Sequence, residues 1–304
     1  MPTNLPIPTL RAAFGERLQE NVLLAPYTSA RIGGPADALV TATSADQLAE
    51  TVSRLWELDV PYVIVGGGSN MLVSDKGVRG IVILNKAKDV SFDKGRMPKV
   101  RAEAGVVFAN LARRAASHGL AGLEWAAAVP GTVGGAVYGN AGAFGSDTAG
   151  NLIQAELLTE NGRETWPVEK MQYGYRTSLL KRQTLQSVVL WADLRLEHST
   201  KEKVSVKISE FSERRKATQP PGASMGSMFK NPPGDFAGRL IEAAGLKGTR
   251  ISTAEISPVH ANFFINHGQT KAEDVRALVN LAQKTVAEKF GVILELEIEL
   301  IGEW

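Results

Sequence analysis

WAAAVPGTVGGAVYGNAGAFGS, residues 125–146, runs for 22 positions without a charged side chain, and six of its residues are glycine. Its length and lack of charge would suit a membrane span. However, Pro130, Asn140 and the glycines are expected to break any helix that it could form. Glycine lacks the Cβ that keeps a ligand away from the backbone, and main-chain N–H groups exposed in this way can bind an anion such as a pyrophosphate. We interpret the stretch as one half of a nucleotide-cofactor site.

A second glycine-rich segment lies about sixty residues upstream. The apolar run Tyr62–Val65 predicts a buried strand, and it leads into GGGSN at 66–70 and then a second apolar run. A P-loop would need Gly-Lys followed by Ser or Thr, and a G-x-G-x-x-G fingerprint would need glycine in place of Met71. Alone, the segment would more often be a tight turn. Two such segments together predict a strand–loop–strand cradle that is neither Rossmann nor P-loop.

The composition narrows the class of protein. The chain has 304 residues and a mass of 32.6 kDa, enough for two or three compact units. A net charge of +2 gives no bias toward nucleic acid. Without cysteine, the chain cannot form disulfides, use a catalytic thiol or bind metal through cysteine. The first ten residues, MPTNLPIPTL, lack the basic start and apolar core of a signal peptide, so we expect a cytoplasmic protein without membrane insertion.

Hydrophobic periodicity and capping signals predict the secondary structure. A strand at 38–43 is followed by Ser44-Ala-Asp-Gln47, a capping-box pattern that opens a helix to about Leu58. With the strand at 62–65, this predicts a βαβ unit. Further strands are expected near 81–84, 98–104, 152–158 and 187–196, and helices near 107–118, 204–217, 236–244 and 271–289.

The end of the chain alternates strictly between apolar and acidic residues. Over Val292–Ile301 the apolar residues face one way and Glu295, Glu297 and Glu299 face the other, which predicts a strand. The polar segment 197–203 is the best linker candidate. The expected architecture is α+β: a cofactor domain over 1–200 in two lobes (about 1–85 and 86–200), then a smaller α/β substrate-binding domain over 201–304.

The four histidines do not predict a metal site. No pair has i, i+4 spacing and no H-E-x-x-H motif occurs, so no metal is expected. A structural role is expected for His260.

The segment SMGSMFKNP at 224–232 combines a hydroxyl, an ammonium and an amide around a flexible glycine. Lys230 and Asn231 together suit a phosphate or a sugar. The alternative is a surface loop between domains, and composition alone leaves the two open.

Two other places carry candidate side chains. YGYR at 173–176 sets Arg176 beside two phenols, which is also a common packing arrangement. Glu297 would normally lie on a solvated edge. Only a site on its face would change this interpretation, because a buried carboxylate must be paired or protonated.

These motifs resemble those of the UDP-N-acetylenolpyruvoylglucosamine reductase family over nearly the whole chain. The matching segments are TSARIGG at 28–34, VGGGSN at 65–70, VPGTVGGAVYGNAGAFG at 129–145, YGYR at 173–176, SMGSMFKNP at 224–232, IEAAGLKG at 241–248, HANFFIN at 260–266 and LELEIELIG at 294–302. Separate motifs in this order, spread over both expected domains, make a chance match improbable.

The resemblance implies a vanillyl-alcohol-oxidase-type FAD domain and a flavoenzyme. The family uses NADPH to reduce the enolpyruvyl group of UDP-N-acetylglucosamine-enolpyruvate to UDP-N-acetylmuramate, a peptidoglycan precursor. Hydride passes from NADPH through FAD to the β-carbon of the enolpyruvyl group. Neither glycine-rich segment contains a histidine or cysteine that could link the flavin, so FAD is expected to bind non-covalently.

The family's roles transfer to matching positions. Ser227 matches the serine that protonates the substrate carbanion, Arg176 the arginine beside the enol ether, and Glu297 the glutamate that helps to stabilise the intermediate. Lys230, Asn231 and Tyr175 are expected to contact the substrate. The residues expected to bind FAD are Arg31, Gly66, Gly67, Gly68, Ser69, Asn70, Pro130, Gly131, Thr132, Gly134 and Gly135.

Departures from the family pattern are mild. They are Leu180, Leu296, Tyr138 and Phe144, of which Leu296 replaces a usual proline before the glutamate. The short run between YGYR and the strand at 187–196 leaves little room for an inserted substrate loop, which suggests the family's shorter, second type.

Two other functions share part of the pattern. A flavin oxidase of the same fold would have the cradle, but it would lack the GSMFKNP and LELE segments. A non-catalytic nucleotide-binding protein would keep the glycines and have no use for Arg176, Ser227 and Glu297 together.

Overall fold

A computed structural model of the chain describes residues 5–182 and 186–304. The first four residues of the stretch tested for a signal peptide lie outside these ranges. Residues 183–185, part of the short run that suggested the second type, also lie outside them. The described ranges contain no helix whose length and hydropathy would let it cross a bilayer.

The described residues form strands and helices along the whole chain. The strands are β1 Leu18–Leu23, β2 Pro35–Ala42, β3 Tyr62–Val65, β4 Met71–Val73, β5 Val78–Asn85, β6 Val90–Asp93, β7 Lys99–Glu103, β8 Leu120–Ala121, β9 Gly142–Ala143, β10 Ser146–Asp147, β11 Leu152–Thr159, β12 Gly162–Pro167, β13 Ser187–Arg195, β14 Glu197–His198, β15 Arg250–Ile251, β16 Ala254–Ile256, β17 Phe264–Asn266 and β18 Glu299–Ile301. The α-helices are α1 Ile7–Phe14, α2 Ala45–Glu57, α3 Phe108–Ser117, α4 Val133–Gly139, α5 Thr148–Asn151, α6 Leu179–Arg182, α7 Lys201–Thr218, α8 Ala237–Ala243 and α9 Ala272–Phe290.

The N-terminal sheet has the strand order β1–β2–β5–β3. β5 runs parallel to β2 and β3, and α2 connects these two strands as the βαβ pattern predicted. The Ser44 hydroxyl accepts the N–H of Gln47 at 3.1 Å, while the Gln47 side chain accepts the N–H of Thr43 at 2.7 Å. The predicted reciprocal cap is therefore present, but the Gln47 side chain accepts the N–H of Thr43 instead of the N–H of Ser44. The sheet sets the glycine loop at the carboxyl end of β3.

The central sheet is antiparallel, with the strand order β12–β11–β13–β7–β6. The glycine-rich stretch packs on it and forms α4, so the expectation that its glycines would break any helix was wrong. Burial of Val133, Ala136 and Val137 in the core offsets the low helix propensity of glycine. Asn140, in the left-handed conformation, ends the helix.

The C-terminal region contains the antiparallel sheet β15–β16–β17 with α8 and α9. α7 packs instead against α3 and residues 124–128, and β14 pairs with β8. The expected linker 197–203 is therefore partly occupied by a strand and a helix start. We keep the domain division at residue 200 as a proposal. α7 lies after that boundary but packs on α3 and residues 124–128, which lie before it.

The terminal segment 292–301 is not one continuous strand, contrary to the prediction. It changes partner along its length: Leu296 forms an isolated bridge with Phe229, and β18 then pairs in parallel with β4. Leu294 and Ile298 are buried, so the predicted alternation of faces is present at these positions. The change of partner places Glu297 between the C-terminal region and the end of the glycine loop.

Candidate active site

The two glycine-rich segments lie against each other. A Cβ on Gly67 would come within 3.0 Å of the Gly131 Cα, and a Cβ on Gly66 within 2.4 Å of the Thr132 Oγ1. A Cβ on Gly131, whose φ is +107°, would lie 2.7 Å from the Ser69 Oγ. Side chains at these glycines would separate the segments, so glycine is needed for the two halves to meet.

The glycine loop presents unused backbone donors. In the parts of the chain that the structure describes, the N–H groups of Gly67, Gly68, Ser69 and Asn70 donate no hydrogen bond, although Gly68 is buried. Buried backbone donors are almost always paired. Successive open N–H groups form an anion-binding concavity, so this loop fits the pyrophosphate of the expected FAD.

Gly134 and Gly135 face different surroundings. A Cβ on Gly134 would lie 2.8 Å from the Cβ of Ala104, on the side of the central sheet. Gly135 is exposed, and among the residues that the structure describes a Cβ there would meet only the Thr132 Oγ1, at 3.8 Å. Packing against Ala104 thus explains why residue 134 is glycine, whereas Gly135 borders open space. The exposed Pro130 lies at the entry to the same segment.

Arg31 lies on a turn bonded to the glycine loop. The N–H of Ser29 donates to the Gly68 carbonyl at 2.9 Å, and Arg31 has a positive φ of 55°. Its exposed side chain borders a cleft of about 410 Å³ that Asn266 and His267 also line. Arg31 is therefore near the cradle but on a different element.

Arg176 is held by a tight turn and two acceptors. Gly174 and Thr177 exchange backbone hydrogen bonds around it, and its own φ is 55°, a left-handed conformation that is uncommon outside glycine. Its Nη2 donates to the Gly142 carbonyl at 2.7 Å and its Nε to the Glu297 Oε1 at 2.9 Å. The turn thus directs the guanidinium between the glycine-rich stretch and the terminal segment.

Glu297 is largely buried, since its side chain is 17% exposed. Burial raises the pKa of this carboxyl, and the adjacent Arg176 guanidinium opposes the rise. The backbone N–H of Glu297 donates to the Met228 carbonyl at 3.0 Å, and its carbonyl accepts from the Asn70 side chain at 3.1 Å. The solvated-edge interpretation is therefore excluded, and Glu297 is directly bonded to the glycine loop.

Ser227 lies one residue before the carbonyl that holds Glu297. It is half-buried, and it forms an isolated backbone bridge with Phe263. Within the described residues its hydroxyl has no hydrogen-bond partner, so the structure identifies no neighbour that assists it as an acid. The hydroxyl is free to donate to a bound molecule.

Lys230, Asn231 and Tyr175 lie on the rim of this cluster. The Lys230 ammonium is paired with Glu295. The Asn231 side-chain oxygen accepts the N–H of Ala237 at 3.1 Å, and among the described residues its amide nitrogen has no hydrogen-bond partner. The Tyr175 ring lies 5.1 Å from the Arg176 guanidinium carbon and is half exposed. The Asn231 N–H also donates to the Tyr175 hydroxyl at 3.5 Å, so these two residues are neighbours. Contact of the three residues with the substrate stays a prediction.

Sequence reasoning assigned no role to Asn262, which fixes the serine-bearing segment. Its buried side chain accepts the N–H of Phe229 at 2.9 Å and donates to the carbonyl of the same residue at 2.8 Å. His260 supports the turn, because its Nδ1 accepts the Asn262 N–H at 3.2 Å. The HANFFIN motif contained this signal, but only the fold shows what the asparagine binds.

Comparison with known proteins agrees with this geometry. The family model of the UDP-N-acetylenolpyruvoylglucosamine reductase C-terminal domain matches residues 217–301, and an FAD-binding domain model matches residues 36–166. UDP-N-acetylenolpyruvoylglucosamine reductases from Chloroflexus aggregans and Bacillus subtilis are 45% and 42% identical. The alignments cover 93% of this chain in both cases, and 97% and 93% of the relatives.

A solved structure gives the same result. The crystal structure of UDP-N-acetylenolpyruvylglucosamine reductase from Thermus caldophilus is 37% identical, with a TM-score of 0.80 over 94% of this chain and 99% of that one. The predictions of the family, of the α+β class and of FAD are confirmed. The chain therefore belongs to the UDP-N-acetylenolpyruvoylglucosamine reductases, FAD-dependent oxidoreductases that reduce an enolpyruvyl UDP-N-acetylglucosamine in peptidoglycan precursor synthesis.

Proposed function

We propose that Arg176, Glu297 and Ser227 carry out the step in which the enolpyruvyl group of UDP-N-acetylglucosamine-enolpyruvate is reduced to the lactyl group of UDP-N-acetylmuramate. NADPH is the hydride donor. The observation that carries this proposal is the Arg176–Glu297 pair. The backbone of Glu297 is hydrogen-bonded to both the Asn70 side chain and the Met228 carbonyl. Segments that are far apart in sequence thus meet beside the proposed proton donor and the cofactor loop.

The cradle residues fit the cofactor. We propose that the open N–H groups of residues 67–70 hold the pyrophosphate and that Gly131, Thr132 and Gly135 border the rest of the molecule, with Arg31 beside the loop. Gly66 and Gly134 allow the close packing of these segments. Bound FAD supplies hydride transfer between NADPH and the β-carbon of the enolpyruvyl group.

The cluster is suited to the charge that this reduction creates. Addition of hydride at the β-carbon leaves negative charge at the α-carbon, delocalised onto the substrate carboxylate. The Arg176 guanidinium stabilises an enolate at this position, and Glu297 in its protonated form donates a hydrogen bond to it. The raised pKa of Glu297 increases the fraction that is protonated. The unpaired hydroxyl of Ser227 then delivers the proton to the α-carbon.

The rim residues provide contacts for the nucleotide. We propose that Lys230, the free amide nitrogen of Asn231 and the Tyr175 ring contact the UDP-sugar. The ten residues 177–186 between Arg176 and β13 leave little room for an inserted substrate loop, which supports the family's shorter, second type. A cytoplasmic location is part of the proposal, because NADPH and UDP-sugars are cytoplasmic metabolites.

The purified protein provides the direct test. We expect a yellow protein whose flavin absorbance is lost on anaerobic addition of NADPH and returns on addition of UDP-N-acetylglucosamine-enolpyruvate. Acid precipitation should release all of the flavin, as expected for non-covalent binding. A reduced flavin that oxygen reoxidises and the enolpyruvyl nucleotide does not would contradict the proposed substrate and favour an oxidase.

A further inference from the structure

The three carboxylates of the terminal segment each pair with a cation from another part of the chain. Glu295 pairs with Lys230, and Glu297 with Arg176. Glu299 pairs with Lys181 in α6, at 2.7 Å. The first two pairs contain residues that we propose to contact the substrate. The third pair belongs to neither the cofactor cradle nor the proposed catalytic set.

The Lys181–Glu299 pair connects the Arg176 turn to the terminal segment. The Lys181 side chain is 16% exposed, and its backbone N–H donates to the Ser178 hydroxyl at 3.2 Å. The Ser178 hydroxyl donates to the Tyr138 carbonyl of α4 at 2.6 Å. On the other side, the Glu299 N–H donates to the Asn70 carbonyl at 2.9 Å. The pair therefore lies between the element that carries Arg176 and the strand that follows Glu297.

We propose that Lys181 is a positioning residue for the reduction of the enolpyruvyl group. Through Glu299 it holds the Arg176 turn against the terminal segment, and it thereby fixes the surroundings of Glu297. This inference rests on the function proposed above.

The charges around Glu297 explain why Lys181 affects it. Three cations, Arg176, Lys181 and Lys230, act on this carboxyl, and each favours its ionised form. Burial acts in the opposite direction and outweighs them. Of the three cations, only Lys181 has no proposed contact with the substrate, so it can be changed without removing a binding group.

Acidic and phenolic groups complete the surroundings. Glu295 and Glu299 lie on the same segment as Glu297, and each is neutralised by its own lysine. The phenols of Tyr138 and Tyr175 border the same region, and burial together with Glu299 raises the pKa of Tyr138. The Tyr138 phenol stays neutral in the pH range in which a carboxyl titrates.

This arrangement predicts shifts of opposite sign for two variants. Lys181→Met removes a cation, so the pKa of Glu297 should rise. Glu299→Gln removes a like charge and frees the Lys181 ammonium, so the pKa of Glu297 should fall. A merely structural role of the pair would give both variants the same defect, because either substitution breaks the same contact.

The test measures the pH dependence of the two half-reactions by stopped flow. The rate of reoxidation of NADPH-reduced enzyme by UDP-N-acetylglucosamine-enolpyruvate should fall as pH rises through the Glu297 pKa. This falling limb of the pH–rate profile should be absent in E297Q, which has no carboxyl at this position. We expect the limb to move up by about 0.5–1 pH unit in K181M and down by a similar amount in E299Q. K181R should retain the wild-type profile. Flavin reduction by NADPH should change less than about threefold in each variant, because Lys181 is outside the cofactor cradle.

Two sets of results would overturn the inference. One is an unshifted limb in both K181M and E299Q with flavin content intact, and the other is a shift of both in the same direction. K181Q provides the same loss of charge if K181M fails to retain flavin. A wild-type enzyme that the nucleotide does not reoxidise would instead refute the proposed function, so the two failures can be distinguished.

Discussion

The cofactor cradle and the terminal carboxylate cluster are built in opposite ways. The cradle, residues 66–70 and 130–135, consists of backbone from two continuous segments that need glycine in order to meet, and its open N–H groups are those of residues 67–70. The cluster consists of the side chains of Arg176, Ser227 and Glu297, which come from three distant segments. A site made of backbone is visible in local composition, whereas a site made of side chains exists only once the chain has folded. We therefore expect substitutions in the cradle to affect FAD affinity and stability, and substitutions in the cluster to affect reoxidation of the flavin.

The largest effect is expected from Ser227→Ala. If the hydroxyl is the proton donor, reoxidation of the reduced flavin by the enolpyruvyl nucleotide should slow by roughly 10²–10⁴-fold. FAD content and reduction by NADPH should remain near wild type, since Ser227 lies outside the cradle. Single-turnover absorbance at the flavin band measures both half-reactions. Ser224→Ala, in the same segment, is the matched control. Slow reduction with normal reoxidation would show that Ser227 is not the donor.

Arg176→Ala should give the next largest effect, a loss of roughly 10²–10³-fold in reoxidation, because it removes a donor from the developing enolate. The loss should again leave flavin reduction unchanged. Arg182→Ala is the control, since Arg182 follows the same turn and donates to the Gln172 carbonyl instead. Equal defects in the two variants would mean that the substitutions disturb the turn rather than the chemistry.

Gly134→Ala and Gly135→Ala test the cradle side of the comparison. A Cβ on Gly134 meets Ala104 at 2.8 Å, so we expect the free energy of unfolding to fall by about 1–3 kcal/mol. Gly135 has open space, and alanine there should keep the stability and lower only FAD affinity. Thermal melting of the apo-protein and flavin titration separate the two effects. Equal melting temperatures would contradict the packing role of Gly134.

The smallest effect is expected from Glu297→Gln, and it concerns the free energy of unfolding. Burial raises the pKa of Glu297 above the ordinary 4.5, so the folded protein holds this proton more tightly than the unfolded chain does. The stabilisation is fully present below the ordinary pKa and is lost as pH rises through the raised value. The difference in unfolding free energy between wild type and Glu297→Gln should therefore decrease with pH above about 4.5, as urea titrations can show. Glu288→Gln, on the exposed face of α9, is the control for the removal of a surface carboxylate.

Local signals predicted most of the secondary structure. The β-branched run at 62–65 forms β3, and the cap at Ser44 begins α2, because these preferences act over a few residues. The predictions failed where distant partners decide. α4 forms in spite of its glycines because the core buries its apolar face, and the alternating end of the chain contains only a short strand because it changes partner after Leu296.

The sequence by itself determined the family, the cofactor class and the candidate residues, because motifs and glycine spacing are local properties. Only the tertiary structure decided that Glu297 is buried against Arg176, that Asn70 joins the glycine loop to this pair, and that Gly134 faces the core while Gly135 faces open space. The physical reason is that charge, burial and pKa depend on neighbours that are distant in sequence. Glu295, Glu297 and Glu299 occupy equivalent positions in an alternating pattern, and only folding gives each carboxylate a different cation and a different role.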